Sequence, residues 1–385
     1  HHGLQAAADA WPEHCARVCE QLGIALEVVR VQVAPGPSLE QAARSARYAA
    51  FGERLQQGEV LLSAQHRDDQ AETLLFRLLR GAGVRGLAAM PASRSLGQGS
   101  LVRPLLDCSR AELQAYAQGH GIAWIEDPSN ADERLSRNFL RRRVMPVLAE
   151  RWPQTPITLA RSASHLSEAQ QLLEELAEMD LAAARGVSAC PWLPLPSLDL
   201  SAVSALSDAR QRNLLRHWLA PLTRMPDSDH WAGWCDLRDA GLDAAPIWKL
   251  ADGELHRADG RLWWLSGQWL RPLDPLDLPC DRFCASVVLP GNGHVHLQGE
   301  LPQGRWHLRY RQGGESLQVP GRGRRDLKRL LNEMRVPAFV RPRLPLLFDA
   351  EELVAVANLT QSPGVEACEA RLHWSPPIGA QGLSW

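Results

Sequence analysis

The chain has 385 residues, 45% of them hydrophobic and 22% charged, with a formal net charge of -2; this is an ordinary globular composition, long enough for two or three domains. No apolar stretch approaches the roughly 18 residues of a membrane helix, no basic and apolar leader is present, and the eight cysteines follow no disulfide rhythm, so a soluble protein of a reducing cytoplasm is expected. From Arg305 to Arg343, eleven Lys and Arg stand against three Asp and Glu, an excess that suits a polyanionic partner.

In chain order, residues 1 to 155 alternate helical patterns with short apolar runs. "ALEVVRVQV" at 25–33 reads as a strand, "SLEQAARSARYAAFGERL" as a helix with Arg44 and Arg47 one turn apart, and "VLLSA" at 60–64 as a buried strand. Such alternation predicts an α/β layered domain with a parallel sheet. "AQHRDDQAETLLFRLLRGAG" follows, where Asp69 and Glu72 read as N-cap and N3 of a helix carrying Leu74, Leu75, Leu78 and Leu79. That capping box leaves His66 and Asp68 unexplained. They fall in the turn at the carboxyl end of a strand, where open α/β sheets place their ligand crevice, and a purely structural turn stays open as the alternative. A metal held by His66 and Asp68 lacks further ligands nearby, so no metal site is expected. "WIEDPSNADERLSRNFLRRRVMP" adds Asp127, Arg137, Asn138 and Arg141.

Residues 156–270 read as a mainly helical domain ending in a hairpin around the Asp-Gly turns of "IWKLADGELHRADGRLWWL". The proline-rich "RPLDPLDLP" at 271–279 reads as a linker, and residues 285–385 as a small α+β domain around one basic helix. In that helix Leu327, Leu330, Leu331 and Met334 form an apolar stripe, with Arg324, Arg325, Lys328 and Arg329 on the remaining surface. The tryptophans at 231, 234, 263, 264 and 269 read as packing rather than as base-stacking platforms. Lys249 and Lys328 are the only lysines, which argues against a mechanism built on an enzyme lysine. Cys15 and Cys19, like Cys280 and Cys284, are four positions apart and no Cys-x-x-Cys occurs.

Taken in this order, "HHGL", "SLEQAARSARYAAF", "AQHRDDQAETLLFRLLRGAG", "RGAGVRGLAAM", "RPLLD" and the Glu126–Arg141 stretch resemble the tRNA(Ile)-lysidine synthetases. The likeness resumes at "GRGRRDLKRLLNEMRVPAFVRPRLPLLF". The resemblance implies an N-type ATP pyrophosphatase (adenine nucleotide α-hydrolase-like) domain over residues 1–155 and an α+β tRNA-binding domain at the C-terminus. It implies a cytoplasmic enzyme that adenylates C2–O of the wobble cytidine of tRNA(Ile) with ATP and then ligates free L-lysine at that carbon. ATP is the expected co-substrate, Mg2+ its companion, and a homodimer one admissible assembly. Asp68 and Asp69 are expected to meet lysine, and Arg44 and Arg137 to meet the adenylate phosphate or the target nucleotide. His66, Glu72, Arg103, Asp127 and Asn138 are expected in nucleotide and substrate binding. Arg324, Arg325, Lys328 and Arg329 are expected on tRNA phosphates. The family's Ser-Gly-Gly-x-Asp-Ser phosphate loop does not occur in this sequence, so the chain reads as an N-terminally incomplete copy. A tRNA-thiolating ATP pyrophosphatase and a non-enzymatic tRNA-binding protein are the competing readings.

Overall fold

The computed structural model describes residues 1–34, 39–225, 231–241, 244–279, 286–299, 301, 303–361 and 370–378. They fall into two compact units, His1–Leu173 and Glu174–Trp385. Among the described residues no helix is long and apolar enough to cross a membrane.

The first unit runs through α1 (Trp11–Leu22), α2 (Leu39–Arg54), β1 (Val60–Leu62), α3 (Arg67–Leu78) and the short α4 (Val84–Leu87). The hairpin β2 (Ser93–Leu96) and β3 (Gly99–Val102) follows, then α5 (Arg110–Gly119). β1 lies parallel to β3, with Leu61 opposite Leu101, and β3 is antiparallel to β2, so the sheet order is β1-β3-β2. The α/β layering is as expected, with one parallel pair among the described residues. Two local expectations fail. Among the described residues the run at 25–33 joins no sheet: its ladder-like bonds reach His1, through Val29 and Val31, and Leu26 and Val28 stay exposed. β1 is not a buried strand either: the pleat sends Val60 and Leu62 to one face, where they are 52% and 67% exposed.

α6 (Ser136–Phe139) passes through a π-helical stretch, Leu140–Val144, into α7 (Met145–Arg151). Pro146 has no N–H to offer the carbonyl four residues back and its ring crowds that carbonyl, which accounts for a widened turn just before it. α8 (Thr155–Arg185) then packs Ala163 against Leu74 of α3 and Ala89.

In the second unit β4 (Ser197–Asp199), α9 (Leu200–Ser204), α10 (Asp208–Leu219) and α11 (Ala232–Asp239) precede β5 (Ile247–Lys249), β6 (Glu254–Ala258) and β7 (Arg261–Leu265). The expected hairpin is therefore a three-strand meander. β4 joins it from the stretch read as helical, giving the order β4-β7-β6-β5. Asp259 and Gly260, at φ +50 and +69, make the left-handed two-residue turn that Asp-Gly favours. Trp231, Trp234, Trp263, Trp264 and Trp269 are all buried, as packing residues.

β8 (Asp277–Pro279), β9 (Val287–Val288), β10 (His294–Gln298), β11 (Trp306–Tyr310), β12 (Ser316–Val319) and β13 (Gly323–Asp326) follow. The chain continues with α12 (Leu327–Glu333), β14 (Pro345–Asp349), β15 (Glu352–Val356), β16 (Thr360–Gln361) and β17 (Arg371–Ser375). They form sheets ordered β16-β15-β14-β11-β8 and β17-β10-β9, with β12-β13 as a separate ribbon. Buried Arg343 donates to the carbonyls of Gln268, Trp269 and Arg271, which ties the start of the proline-rich stretch to this core. The end of that stretch is β8, which pairs with β11.

The basic helix is shorter than its sequence suggested. Asp326 is its N-cap, accepting the Arg329 N–H at 2.9 Å, so Arg324 and Arg325 belong to β13 and only Lys328 and Arg329 to α12. Leu327, Leu330 and Leu331 are buried as the stripe requires. Cys15 and Cys19 are free thiols on α1, whereas Cys280 and Cys284 lie outside the described residues.

Candidate active site

The turn between β1 and α3 is organised three residues earlier than the sequence pattern implied. His66, with extended backbone, is the N-cap. Its Nδ1 accepts the Asp69 N–H at 3.3 Å and the Asp69 carboxylate accepts the His66 N–H at 3.1 Å, so Asp69 occupies N3 of the capping box. The imidazole takes the cap position read for Asp69, and Glu72 moves a turn deeper into the helix. Asp68 Oδ2 accepts the backbone N–H of Arg110 at 2.8 Å, which joins the turn to the first residue of α5. The Asp68 side chain is 29% exposed, Asp69 16% and Glu72 3%.

Buried Glu72 demands a cation, and the helix with the π stretch brings it two. Arg141, inside that stretch, donates Nε to Glu72 Oε1 at 2.6 Å and Nη2 to Oε2 at 2.8 Å. The same Nη2 reaches Asp69 Oδ1 at 3.0 Å. Burial works against the Arg141 charge, but Glu72, Asp69 and Asp68 outweigh it and raise its pKa. Arg137, one turn earlier, donates to Thr73 Oγ1 at 2.7 Å and to the Asp69 carbonyl, with Glu72 at 3.5 Å.

Beside this acidic turn lies a concentration of guanidinium groups. α2 carries Arg44, Arg47 and Tyr48, and the β2–β3 hairpin is pressed against it at Gly97. There φ is +57, and a Cβ would come within 2.1 Å of the Gly52 carbonyl oxygen. Three guanidinium carbons sit over the Tyr48 ring: Arg44 at 4.8 Å, Arg94 at 5.0 Å and Arg47 at 5.7 Å from its centroid. The phenol lies beside Gln65 and Arg103. Burial pushes its pKa up, but Arg44, Arg103 and Gln65 hold it below the usual range. Arg77 is depressed by burial and then by Arg44 and Arg137, which links the cluster to the acidic turn. Among the described residues Arg44, Arg47 and Arg94 have no carboxylate partner. Uncompensated cations converging on one spot suit an anion.

Residues 1–148 match the PP-loop domain family, 198–263 the TilS substrate binding domain and 306–375 the TilS substrate C-terminal domain. The chain is 63% identical over 384 residues to the tRNA(Ile)-lysidine synthase of Pseudomonas fluorescens (strain Pf0-1), an alignment that covers 100% of the chain and 86% of the relative. It belongs to the tRNA(Ile)-lysidine synthase family. The synthase of Pseudomonas aeruginosa is 60% identical, covering 100% of the chain and 87% of that relative, and that of Escherichia coli O157:H7 41%, covering 93% and 83%.

In this member of the family, the sites named from sequence divide by what their side chains touch. Arg103, 4% exposed, gives Nε to Gln65 Oε1 at 2.9 Å and Nη1 to the Pro91 carbonyl at 2.6 Å, bracing the turn from below. Asp127 caps the Pro128–Ala131 turn. Burial opposes its ionisation, yet hydrogen bonds from Ser129 and Gln5 hold its carboxyl below the usual range. Buried Asn138 gives both amide hydrogens to the carbonyls of Ser129 and Asp132, so it fastens this loop. In the second unit Arg324, Lys328 and Arg329 are exposed and Arg325 half-buried, at the corner where β13 meets α12. Their ties are slight: Arg324 to Ser316 Oγ, Arg325 to the Arg322 carbonyl, Arg329 to Glu333 at 3.5 Å.

Tyr48, Gln65, Arg77 and Arg94 were not singled out in the sequence. Arg77 and Arg94 carried no signal beyond being arginine, while Tyr48, one residue after Arg47 in a helix of known period, was within reach. Among the described residues no group of three His, Cys, Asp or Glu is placed to hold a metal ion.

Proposed function

We propose that the protein joins free lysine to C2 of the wobble cytidine of tRNA(Ile) in two steps driven by ATP. In the first, the C2 oxygen attacks the α-phosphorus of ATP; a phosphorus–oxygen bond forms and pyrophosphate leaves. In the second, the deprotonated lysine ε-amine attacks C2; a carbon–nitrogen bond forms, the C2–O bond breaks and AMP leaves. The observation that carries this reading is an uncompensated guanidinium cluster directly beside an acidic strand-end turn, in a chain aligned along its whole length with tRNA(Ile)-lysidine synthases.

Arg44 and Arg137 are the groups best placed to stabilise charge on the transferring phosphoryl group, with Arg77 behind them. Asp69 and Glu72 are committed to Arg141, and Asp68 spends one oxygen on Arg110. The second Asp68 oxygen is the candidate acceptor for the lysine ammonium. Mg2+ would arrive with the ATP phosphates; the acids of the turn do not form a ligand set of their own, and no step is routed through it. Arg324, Arg325, Lys328 and Arg329 suit contacts to tRNA phosphates, which position RNA without reading bases. Residues 1–155 would then carry the chemistry, 156–270 and 285–385 would hold the tRNA, and the cytoplasm is the compartment where these substrates meet.

The test is to incubate the full gene product with unmodified tRNA(Ile), ATP and isotopically labelled lysine, and to analyse the digested tRNA by mass spectrometry. Labelled lysidine that requires ATP is the expected product. Release of pyrophosphate with no lysine in the tRNA would overturn the assignment.

A further inference from the structure

Arg44 presents a physical difficulty that the function itself does not resolve. It is a long side chain, half-buried, near Arg77 and Arg103, with no carboxylate among the described residues to hold it. Like charges at close range repel, and a flexible guanidinium so placed would swing toward solvent unless something fixed it. An acid would fix it but would also neutralise the charge that an anion needs. An aromatic ring holds a cation by its quadrupole and leaves the net positive charge intact.

We infer that Tyr48 is the positioning residue of the anion site, its ring holding Arg44 and Arg94 in place and its hydroxyl tying them to the β1–α3 turn through Gln65 and Arg103. The inference rests on the proposed function for what the site binds, but its geometry stands apart from it. Tyr48 lies one helical turn after Arg44 on α2, so ring and guanidinium share a face. Arg94 arrives on the same ring from β2, across the contact that Gly52 and Gly97 permit. Beside the hydroxyl, Gln65 Oε1 accepts from Arg103 Nε at 2.9 Å and from Ser63 Oγ at 2.7 Å, and Gln65 is the residue before the His66 cap. One side chain thus links three elements: α2, the β2–β3 hairpin and the turn that carries Asp68.

The role of Tyr48 is separable from bulk packing because ring and hydroxyl can be removed in turn. Tyr48→Leu removes the platform; Tyr48→Phe keeps it and drops only the hydroxyl. With saturating ATP, Tyr48→Leu should slow single-turnover adenylation of tRNA about ten- to a hundredfold, the scale expected when a catalytic group is misplaced by about an ångström. The KM for tRNA should change less than about threefold, since the loss falls on the transition state. Tyr48→Phe should lose less than Tyr48→Leu. Once the ring no longer holds Arg44, removing Arg44 costs less than it does in the wild type, so the loss in Tyr48→Leu combined with Arg44→Ala should be clearly smaller than the product of the two single losses.

A second measurement needs neither catalysis nor a folded Leu variant. The chain has three tyrosines, so the alkaline phenolate titration of the native protein can be followed by ultraviolet absorbance and its Tyr48 step assigned as the one missing in Tyr48→Phe. That step should lie earliest in the wild type and move to higher pH in Arg44→Ala. Losses that multiply in the double variant, a defect in Tyr48→Leu confined to the KM for tRNA, or a Tyr48 titration unmoved by Arg44→Ala would each overturn the inference. A wild type that makes no adenylated tRNA would sink the proposed function instead, and the titration would still decide whether Tyr48 holds Arg44.

Discussion

Replacing Glu72 by Gln should loosen the whole acidic turn, and the size of the effect can be worked from its contacts. The Glu72 carboxylate is 3% exposed and takes two short hydrogen bonds from Arg141, with Arg137 at 3.5 Å. Gln keeps the shape and one acceptor, but it turns an amide NH2 toward a guanidinium and leaves Arg141 with Asp69 as its remaining acid. Breaking a buried pair by removing one charge costs about 3–5 kcal/mol. Arg141 is 24% exposed and can recover some hydration, so roughly 2–3 kcal/mol is the better figure, in line with one lost charge-assisted hydrogen bond plus repulsion. For a unit of this size that is a fall in melting temperature of about 4–12 °C. Hydrogen exchange read in α3 and in the helix carrying Arg141 would localise it. A cycle with Arg141→Gln should show a coupling above about 1 kcal/mol. Unchanged exchange protection in α3 of Glu72→Gln would refute the view that this pair organises the turn.

Asp68→Asn retains an oxygen for the Arg110 N–H, so stability should change by less than about 1 kcal/mol, while the KM for lysine rises at least about tenfold and adenylation proceeds; steady-state titration with lysine checks both. Arg44→Ala and Arg137→Ala should each slow adenylation by about two orders of magnitude with tRNA affinity largely kept, measured by rapid quench, and adenylate formed at the wild-type rate would assign them to another step. Neutralising Arg324, Arg325, Lys328 and Arg329 together should make the slope of log affinity against log salt shallower by about 2–4 units, equally for tRNAs that differ only at the wobble base. His373 is stacked on His296 at 5.0 Å, and burial, His296 and Arg371 lower its pKa below the ordinary 6.5. The unfolded chain therefore takes up the proton first as pH falls through about 6.5, and the β9–β10–β17 sheet should lose stability below that pH but not above it. Hydrogen exchange in β10 across that range, compared with His373→Gln, measures the difference.

The legible parts of the sequence were those where a local rule fixes a local shape. The Asp-Gly turn at Asp259 and Gly260 and the leucine stripe of α12 each follow from neighbouring residues alone, and both are present. The N-cap was misassigned for a physical reason: an Asp three residues before Glu is a better cap by propensity than His, but Asp69 is drawn into reciprocal bonds with His66 and Glu72 is claimed from a distance by Arg141, 69 residues on. Burial of β1 and pairing of the run at 25–33 depend on partners elsewhere in space, which no pattern within those segments records. The guanidinium cluster was half visible. Arg44 and Arg137 stood out, but Tyr48 and Arg94 become functional candidates only once α2 lies against the β2–β3 hairpin.

The division of charge in the first unit also bears on the order of events. Among the described residues Arg141 saturates Asp69 and Glu72, which leaves Asp68 as the acid of the turn with an uncommitted oxygen, while Arg44, Arg47 and Arg94 have no carboxylate partner. On the proposed reading, a lysine ammonium approaching the empty site meets net positive charge before it meets Asp68, and in a partly desolvated setting that repulsion is worth several times its value in water. Once ATP or the adenylated cytidine is bound, the phosphate neutralises the guanidinium side and the same ammonium is drawn in by Asp68. Lysine and phosphate would then bind with positive coupling, and by linkage each strengthens the other by the same factor. Arg141 is what makes the asymmetry work: without it the three acids of the turn would hold a cation whether or not the nucleotide was there.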